Sequence, residues 1–352
     1  MRRRRGLGAL AGGFALALVA LLLLPSLAGA ASVETRPAVF TVQNLNRSQV
    51  QCSTDGRTYR VRGLLVGPAG SLRTNGGPVT LYLHGLGFGR FFWDFQAVPG
   101  YNFAAAMAQR GHVSAIVDRL GYGASDHPDG TQSCIGGQAD VAHQVVQGLR
   151  TGTYSAGPGP AVKFGKVALV GHSAGGAIAQ VETYSFRDVA ALGVLSWADQ
   201  GQSQLAGTTF AAATQTCLNG GQPSGGAPGY APFGATDADF QAAMFHDADP
   251  AVVSAATSMR NPDPCGDDES LGQTSAVDHA MLPTIAKPVL LGFGENDALF
   301  PPPAGSEQRA QFAGSGDVSL IQLPDTGHAV TLERSAPALV ADLAGWLSAR
   351  GF

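Results

Sequence analysis

A serine flanked by glycines is the residue in this sequence best placed to act as a nucleophile. Gly171-His172-Ser173-Ala174-Gly175 follows an apolar run at residues 167–170 and precedes an alanine-rich stretch typical of a helix. A serine at a tight strand-to-helix turn takes a strained backbone conformation that presents its hydroxyl above the edge of a sheet. The same five residues also fit an ordinary Gly/Ser turn, so the hypothesis needs a base, an acid and an oxyanion-binding group elsewhere in the chain.

A serine hydroxyl requires a base, and His328 is the histidine best placed to serve as one. It follows a predicted strand and turn and lies in the last loop before the closing helix. A parallel sheet would bring this loop to the edge that carries Ser173. For the other seven histidines we expect structural or solvent-exposed roles: His84, His112, His127, His143, His172, His246 and His279.

The acid that would orient this histidine is predicted to be Asp297. It comes directly after a predicted strand at residues 288–293, which gives the chain order serine, acid, histidine. Asp199, after the preceding strand, is the alternative acid. Glu295 and Asp325 are weaker candidates that we interpret as solvent-exposed loop carboxylates.

The first 30 residues have the features of a secretory signal peptide. Four arginines at positions 2–5 precede an apolar run at residues 7–24, and Ala28-Gly29-Ala30 offers the small residues of a cleavage site. We therefore predict cleavage after Ala30 and a secreted, extracellular protein. The alternative is an uncleaved membrane anchor, because the apolar run is near the length that spans a bilayer.

Composition limits the partners that the protein could have. The formal net charge is −4, and removal of the four leader arginines would change it to −8. A mildly acidic chain without a basic patch argues against nucleic acid and against stable association with anionic membranes after signal cleavage. The oligomeric state is not predicted.

Four cysteines follow the predicted leader, and an even number in an exported protein indicates two disulfides. Three pairings are possible, and we favour Cys52–Cys134 and Cys217–Cys265 because the second pair brackets one irregular region. The alternative is free, buried thiols. No two cysteines have the close spacing of a zinc motif, and we expect neither a metal site nor a cofactor.

Strand and helix patterns alternate along most of the chain, which predicts an α/β fold with a mostly parallel sheet and helices on both faces. An antiparallel hairpin is expected at residues 49–66, with Asp55-Gly56 as its turn. The remaining elements are expected as strands at 79–83, 112–117, 167–170, 189–195, 288–293 and 318–323, and helices at 102–109, 138–150, 174–186, 306–312 and 336–349.

Residues 200–283 interrupt this alternation, with abundant Gly, Ala, Asp and Pro and little periodicity. We interpret them as a cap or lid inserted between two core parts, 31–199 and 284–352, before the strand that bears Asp297. Short helices are expected at 237–245 and 250–259. We interpret the acidic residues of this segment as solvent-exposed loop charge: Asp247, Asp249, Asp263, Asp267, Asp268 and Glu269.

Five motifs together resemble the α/β-hydrolase superfamily, in its serine-hydrolase, esterase- or lipase-like form. They are His84-Gly85-Leu86-Gly87, residues 118–125, residues 171–175, residues 294–297 and Gly327-His328. The resemblance implies a catalytic triad of Ser173, Asp297 and His328. It also implies an oxyanion hole formed by the backbone N–H groups of Leu86 and Ala174.

The chain departs from some branches of that superfamily. It lacks the triple-glycine oxyanion run of one esterase branch, and its serine excludes the branches that use an aspartate nucleophile. The segment at 200–283 matches no known cap, so the resemblance does not imply a particular substrate.

These observations lead to the hypothesis of a secreted enzyme that cleaves small-molecule or lipid esters through an acyl-enzyme. Phe88, Phe91, Phe92 and Trp93 would either line the substrate pocket or form core beneath the cap. One alternative is a secreted peptidase or amidase of the same fold, which would use acidic groups to hold a substrate amine. The other is a non-catalytic binding protein on this scaffold.

Overall fold

Eleven strands are present in the part of the chain that the structure, a computed structural model, describes: Gly8 and residues 32–352. Apart from Gly8, the predicted leader lies outside the described residues. The strands are β1 (Val33–Gln43), β2 (Thr58–Pro68), β3 (Pro78–Leu83), β4 (Ser114–Val117), β5 (Lys166–His172), β6 (Ala191–Leu195), β7 (Gln222–Ser224), β8 (Ala227–Ala231), β9 (Asp263–Pro264), β10 (Val289–Gly294) and β11 (Val318–Leu323).

Eight of these strands form the central sheet, in the order β1-β2-β4-β3-β5-β6-β10-β11. From β4 to β11 all neighbouring strands are parallel, whereas β2 is antiparallel to both β1 and β4. Every residue of β4, β6 and β10 is buried, as expected for parallel strands that are covered on both faces. The predicted α/β fold, with its mostly parallel sheet and N-terminal antiparallel hairpin, is confirmed.

The first strand of the hairpin lies earlier than predicted. The strand β1 pairs with β2 over its whole length, and residues 44–57 form a loop that includes Asp55-Gly56. The Asn44 side chain donates hydrogen bonds to Asp55 Oδ1 (2.9 Å) and to the Gln132 carbonyl (2.8 Å), which fixes this loop. The prediction failed because the alternation of buried side chains in β1 begins only at Ala38, after charged residues and a proline.

Nine helices of four or more residues are found in residues 32–352. They are α1 (Phe103–Gln109), α2 (Ile135–Thr151), α3 (Ala174–Phe186), α4 (Gln204–Leu218), α5 (Asp237–Met244), α6 (Pro250–Met259), α7 (Cys265–Met281), α8 (Ala304–Gln311) and α9 (Ala336–Ser348). The helix α3 is buried on all sides over its first eleven residues, because it packs between β5, β6, α2 and α7.

The segment at 200–283 is more regular than its sequence indicated. Helices α5 and α6 lie where predicted, but the longer α4 and α7 and a small sheet of β7, β8 and β9 were missed. The helix α4 is rich in Ala and Thr, α7 is rich in acidic and small residues, and both bury few large apolar side chains. Their stability depends on tertiary contacts that periodicity does not reveal.

Two disulfides connect distant parts of the described chain. Cys52 is bonded to Cys134 at the start of α2, and Cys217 near the end of α4 is bonded to Cys265, the first residue of α7. This is the pairing that the sequence favoured. Among the described residues, no helix is both long and apolar enough to cross a membrane.

Candidate active site

Ser173 occupies a sharp turn between β5 and α3. Its backbone angles are φ 52° and ψ −127°, and its N–H donates to the Leu195 carbonyl at 2.8 Å. A positive φ at serine costs about 1–3 kcal/mol and persists only where the surrounding structure enforces it. The turn is tight: a Cβ on Gly171 would lie 1.9 Å from the Gly175 oxygen, and one on Gly175 would lie 2.4 Å from the Leu83 oxygen. Glycine is therefore required on both sides of the serine.

His328 and Asp297 form a buried pair at the same edge of the sheet. The histidine Nδ1 lies 3.0 Å from Asp297 Oδ1 and 2.9 Å from Oδ2, and both side chains are inaccessible to solvent. Asp297 Oδ1 also accepts hydrogen bonds from the N–H groups of Leu299 (2.8 Å) and Phe300 (3.0 Å). These bonds fix the carboxylate, which in turn orients the imidazole.

The second nitrogen of His328 has no hydrogen-bond partner within residues 32–352. Since Nδ1–H donates to the carboxylate, Nε2 carries the free lone pair and can accept a proton. Within residues 32–352, neither His328 Nε2 nor Ser173 Oγ is hydrogen-bonded to another protein group. A buried, unpartnered basic nitrogen is suited to general-base chemistry.

His172 supports this arrangement from the position before the serine. Its Nε2–H donates to the His328 carbonyl at 2.9 Å, and its ring stacks on Phe92 with centroids 4.1 Å apart. Burial, together with the neighbouring His328, holds the pKa of His172 well below its usual value. A neutral His172 therefore positions the His328 loop.

The loop after β3 contacts the serine directly. A Cβ on Gly85 would lie 2.8 Å from Ser173 Cβ. The next N–H group, that of Leu86, and the N–H of Ala174 at the start of α3 have no protein acceptor among the described residues. Two free donors beside a nucleophile can stabilise an oxyanion.

Residues of the 200–283 segment anchor that loop. The N–H of Gly87, which has φ 72°, donates to Asp263 Oδ1 at 2.7 Å, and the Gly87 carbonyl accepts from Asn261 N–H at 3.0 Å. Burial raises the pKa of Asp263 to about 8, although the Gly87 N–H and the Arg119 charge act in the opposite direction.

Arg119 links the same loop to α7. Its Nε donates to the His84 carbonyl (2.9 Å), its backbone N–H donates to His84 Nε2 (3.0 Å), and its Nη1 donates to Asp267 Oδ2 (2.8 Å). Burial lowers the pKa of His84 well below its usual value, and the Arg119 charge lowers it further, so His84 is a neutral acceptor. Asp267 also accepts from Ser133 Oγ at 2.7 Å and from Gln138.

The prediction that the acidic residues of this segment are solvent-exposed is wrong for three of them. Asp263, Asp267 and Asp268 are buried. Asp267 and Asp268 lie in the first turn of α7, where acidic side chains favour a helix N-terminus. That sequence signal could have indicated the helix, but it could not have identified the Arg119 partner 148 residues away.

The structure does not bring Asp199 to His328. Its carboxylate accepts hydrogen bonds from Gln308 (2.7 Å), Gln180 (3.2 Å) and Trp197 (3.1 Å) instead. Glu295 and Asp325 are exposed. Of the four candidate acids, Asp297 alone contacts the histidine.

The aromatic cluster that follows the loop after β3 is mainly core. Phe88, Phe92 and Trp93 are completely buried, and Phe91 is half-buried. Phe88 packs against Phe240 of α5 with ring centroids 5.5 Å apart, which places it beneath the 200–283 segment.

A cavity of about 280 Å³ lies between α4 and α7. Its walls include Trp197, Phe210, Leu271 and the two helical glycines Gly207 and Gly272. Trp197 packs on Phe300 (ring centroids 5.3 Å), whose ring faces His328 (5.9 Å). Packed aromatic rings thus connect Trp197, in one wall of this cavity, to the catalytic histidine candidate, while Gln202, Asp268 and Ser275 make the rest of the lining partly polar.

Comparison with known proteins agrees with this architecture. The sequence model described as the alpha/beta hydrolase family matches residues 81–343. No sequence among the curated proteins is significantly similar to this chain.

Solved structures show the same fold at low sequence identity. An esterase from Thermogutta terrifontis is 18% identical, with a TM-score of 0.62 over 89% of this chain and 99% of that chain. A monoacylglycerol lipase from Paleococcus ferrophilus is 16% identical, with a TM-score of 0.57 over 78% and 97% of the two chains. A hydrolase from Pseudomonas aeruginosa is 17% identical, with a TM-score of 0.56 over 84% and 97%.

Proposed function

Because this chain belongs to the alpha/beta hydrolase family, we propose that it is a serine hydrolase that cleaves carboxylic esters through an acyl-enzyme. The observation that carries the proposal is the buried Asp297–His328 pair, whose unpartnered Nε2 lies at the sheet edge that also carries the strained Ser173. Nucleophile, base and acid are thus assigned to Ser173, His328 and Asp297.

In the acylation step, Ser173 Oγ attacks the ester carbonyl carbon while His328 Nε2 takes the hydroxyl proton. Asp297 keeps the proton on Nδ1 and stabilises the imidazolium that forms. The N–H groups of Leu86 and Ala174 donate to the tetrahedral oxyanion, each contributing about 3 kcal/mol. Collapse of this intermediate breaks the bond to the alcohol oxygen, which receives the proton from Nε2.

In the deacylation step, water attacks the Ser173 acyl ester while His328 Nε2 takes a proton from it. The same two N–H groups bind the second oxyanion. Return of the proton to Ser173 Oγ releases the carboxylic acid and restores the enzyme.

The 200–283 segment is proposed to cap this site. It contacts the oxyanion loop through the Gly87–Asp263 hydrogen bond and the His328 loop through Ala329 N–H, which donates to the Met244 carbonyl at 2.8 Å. The cavity between α4 and α7 would hold an apolar acyl or alcohol group of a small-molecule or lipid ester.

Two of the acidic residues that an aminopeptidase could use are already engaged. An aminopeptidase needs free carboxylates to hold the substrate amine, but Asp263 and Asp267 are buried in hydrogen bonds to Gly87 and Arg119. Asp268, which borders the cavity between α4 and α7, keeps the peptidase as the alternative. The two disulfides support export, in keeping with the predicted leader.

Turnover of aryl esters with a series of acyl-chain lengths tests the proposal. The Ser173→Ala variant should lose at least about 10⁴-fold in kcat and should not react with an organophosphorus serine reagent. Ser196→Ala is the matched control, because Ser196 is also buried with a positive φ at the end of a neighbouring strand. Equal turnover in the Ser173→Ala variant would refute the assignment, and turnover of aminoacyl anilides without ester turnover would support a peptidase.

A further inference from the structure

A second cluster of ionisable side chains lies away from the proposed active site, between α2 and the end of α3. His143 belongs to α2, Glu182 belongs to α3, and Asp188 follows Arg187, which ends α3 in the left-handed conformation (φ 58°). One ligand atom from each of His143, Glu182 and Asp188 lies within 4.8 Å of the other two. The proposed hydrolase mechanism uses none of these residues.

Glu182 is the unusual member of this cluster. Its side chain is completely buried, and no N–H or hydroxyl group of residues 32–352 donates to either carboxylate oxygen; its hydrogen-bonding neighbour is the carboxyl group of Asp188. No arginine or lysine of residues 32–352 forms an ion pair with it. An isolated buried carboxylate is expensive, so such groups are normally paired with a cation or bound to a metal.

The neighbouring groups do not supply the missing positive charge. His143 Nδ1 lies 2.9 Å from Asp188 Oδ2, and Gln147 donates to the same oxygen. Arg150 is nearby, but it donates to the Asp188 backbone carbonyl (3.2 Å) and not to a carboxylate. Burial raises the pKa of Glu182 well above its usual value, and a hydrogen bond to Asp188 and the negative charge of that residue raise it further.

We propose that His143, Glu182 and Asp188 bind a divalent transition-metal ion of the Zn²⁺ type. One imidazole nitrogen and two carboxylate oxygens are ligands that Zn²⁺ accepts, and three protein ligands leave a fourth tetrahedral position for water. The imidazole disfavours Mg²⁺ and Ca²⁺, which prefer oxygen ligands. The ion would neutralise Glu182 and would clamp α2 to α3, the helix that begins directly after Ser173.

The cluster lies just beneath the surface and has a fixed geometry. The side chains of His143 and Asp188 are 20% and 12% exposed, but His143 Nδ1, Asp188 Oδ1 and both Glu182 oxygens are buried, so an ion would have to enter past these two side chains. The His143 ring stacks on Phe186 with centroids 4.1 Å apart and an interplanar angle of 12°. This stacking holds the imidazole in place before a metal binds.

Calorimetric titration of the purified, chelator-treated protein with ZnCl₂ tests the proposal independently of catalysis. We expect one tightly bound ion per chain and a rise in Tm of about 5 °C at a hundredfold excess over Kd. Affinity should increase with pH, because the metal competes with a proton for Glu182. Bound Co²⁺ should give the visible absorption of a tetrahedral site.

Two ligand variants and one control complete the experiment. Glu182→Gln and His143→Gln should each weaken Zn²⁺ binding by about 100-fold or more, while Asp342→Asn, at an exposed position of α9, should not. Glu182→Gln without metal should be at least as stable as the metal-free parent, because a neutral amide replaces the isolated acid. Absence of a tight site in the parent, or unchanged binding in both ligand variants, would overturn the proposal and indicate that Glu182 and Asp188 share a proton.

Discussion

Two regions of the molecule bury carboxylates for different purposes. Asp297 is paired with His328, whose Nε2 has no hydrogen-bond partner in the described part of the chain. Asp267 is surrounded by donors from Arg119, Ser133 and Gln138. The first pair retains a free basic atom, which suits proton transfer, whereas the second is saturated and serves to hold the oxyanion loop. Burial of a charge is therefore no indication of catalysis unless a reactive atom stays without a partner.

The largest expected effect tests the first region. Asp297→Asn should lower kcat by about 10⁴-fold, because an amide cannot stabilise the imidazolium or enforce its tautomer. Asp199→Asn is the matched control, since Asp199 is equally buried but contacts glutamine and tryptophan side chains. The kcat for ester hydrolysis is measured for both variants. A greater loss of kcat in Asp199→Asn would assign the role of the acid to Asp199.

Substitutions in the second region, around Asp267, should change the stability of the fold. Arg119→Met should lower the free energy of unfolding by about 3–5 kcal/mol, because it leaves Asp267 buried without its cation. Arg73→Met, which removes an exposed ion pair with Glu34, should cost less than about 1 kcal/mol. Urea unfolding measures both values. Adding Asp267→Asn to Arg119→Met should recover part of the loss; no recovery would show that the ion pair is not the cause.

The pH dependence of stability tests a third buried carboxylate, Asp263, which also holds the loop after β3. The folded pKa of Asp263, about 8, lies above the usual value of 3.8, so the unfolded chain releases this proton at lower pH than the folded chain. This residue therefore makes the protein less stable as the pH rises from about 4 to about 8. Asp263→Asn keeps an acceptor for Gly87 and does not titrate.

Relative to the parent, the Tm of Asp263→Asn should increase by roughly 3 °C more at pH 8 than at pH 5. Thermal unfolding at the two pH values measures this, with Asp342→Asn as the exposed control. The same difference at both pH values would mean that Asp263 is ionised in the fold.

The smallest effect concerns substrate selection. Gly272→Leu should fill part of the cavity between α4 and α7, since nothing lies within 4 Å of a Cβ at that position. The ratio of kcat/KM for long over short acyl esters should fall by about 10-fold, the cost of losing one or two methylene contacts. Gly345→Leu, at an equally open helical position of α9, is the control. An unchanged ratio would place the acyl pocket elsewhere.

The bounds of strands were predicted accurately where burial produces long apolar runs. Strands β5 and β10 were found within two residues at each end, because parallel strands covered on both faces are largely apolar. The half-buried edge strand β11 was found at its observed bounds. The grouping of Asp297 with His328 followed from the order of loops at one sheet edge. Such an edge collects residues far apart in the chain.

Elements that are stabilised by tertiary contacts, and that lack a periodic apolar face, were not predicted. The helices α4 and α7 bury mostly small and polar residues, and a disulfide joins them. Asp263 and Arg119 acquire their roles only through partners 176 and 148 residues away. No local pattern in the sequence distinguishes such a buried acid from a solvent-exposed one.

The hydrogen bond from Gly87 to Asp263 can form only late in translation. During translation, the loop that carries Leu86 leaves the ribosome 176 residues before the acid that anchors it. A nascent chain that has already produced Ser173 therefore still lacks a fixed oxyanion loop. Only after the ribosome has passed residue 263 can the loop be locked, and Asp297 and His328 follow later still. The proposed site would therefore be completed only when most of the fold is already present.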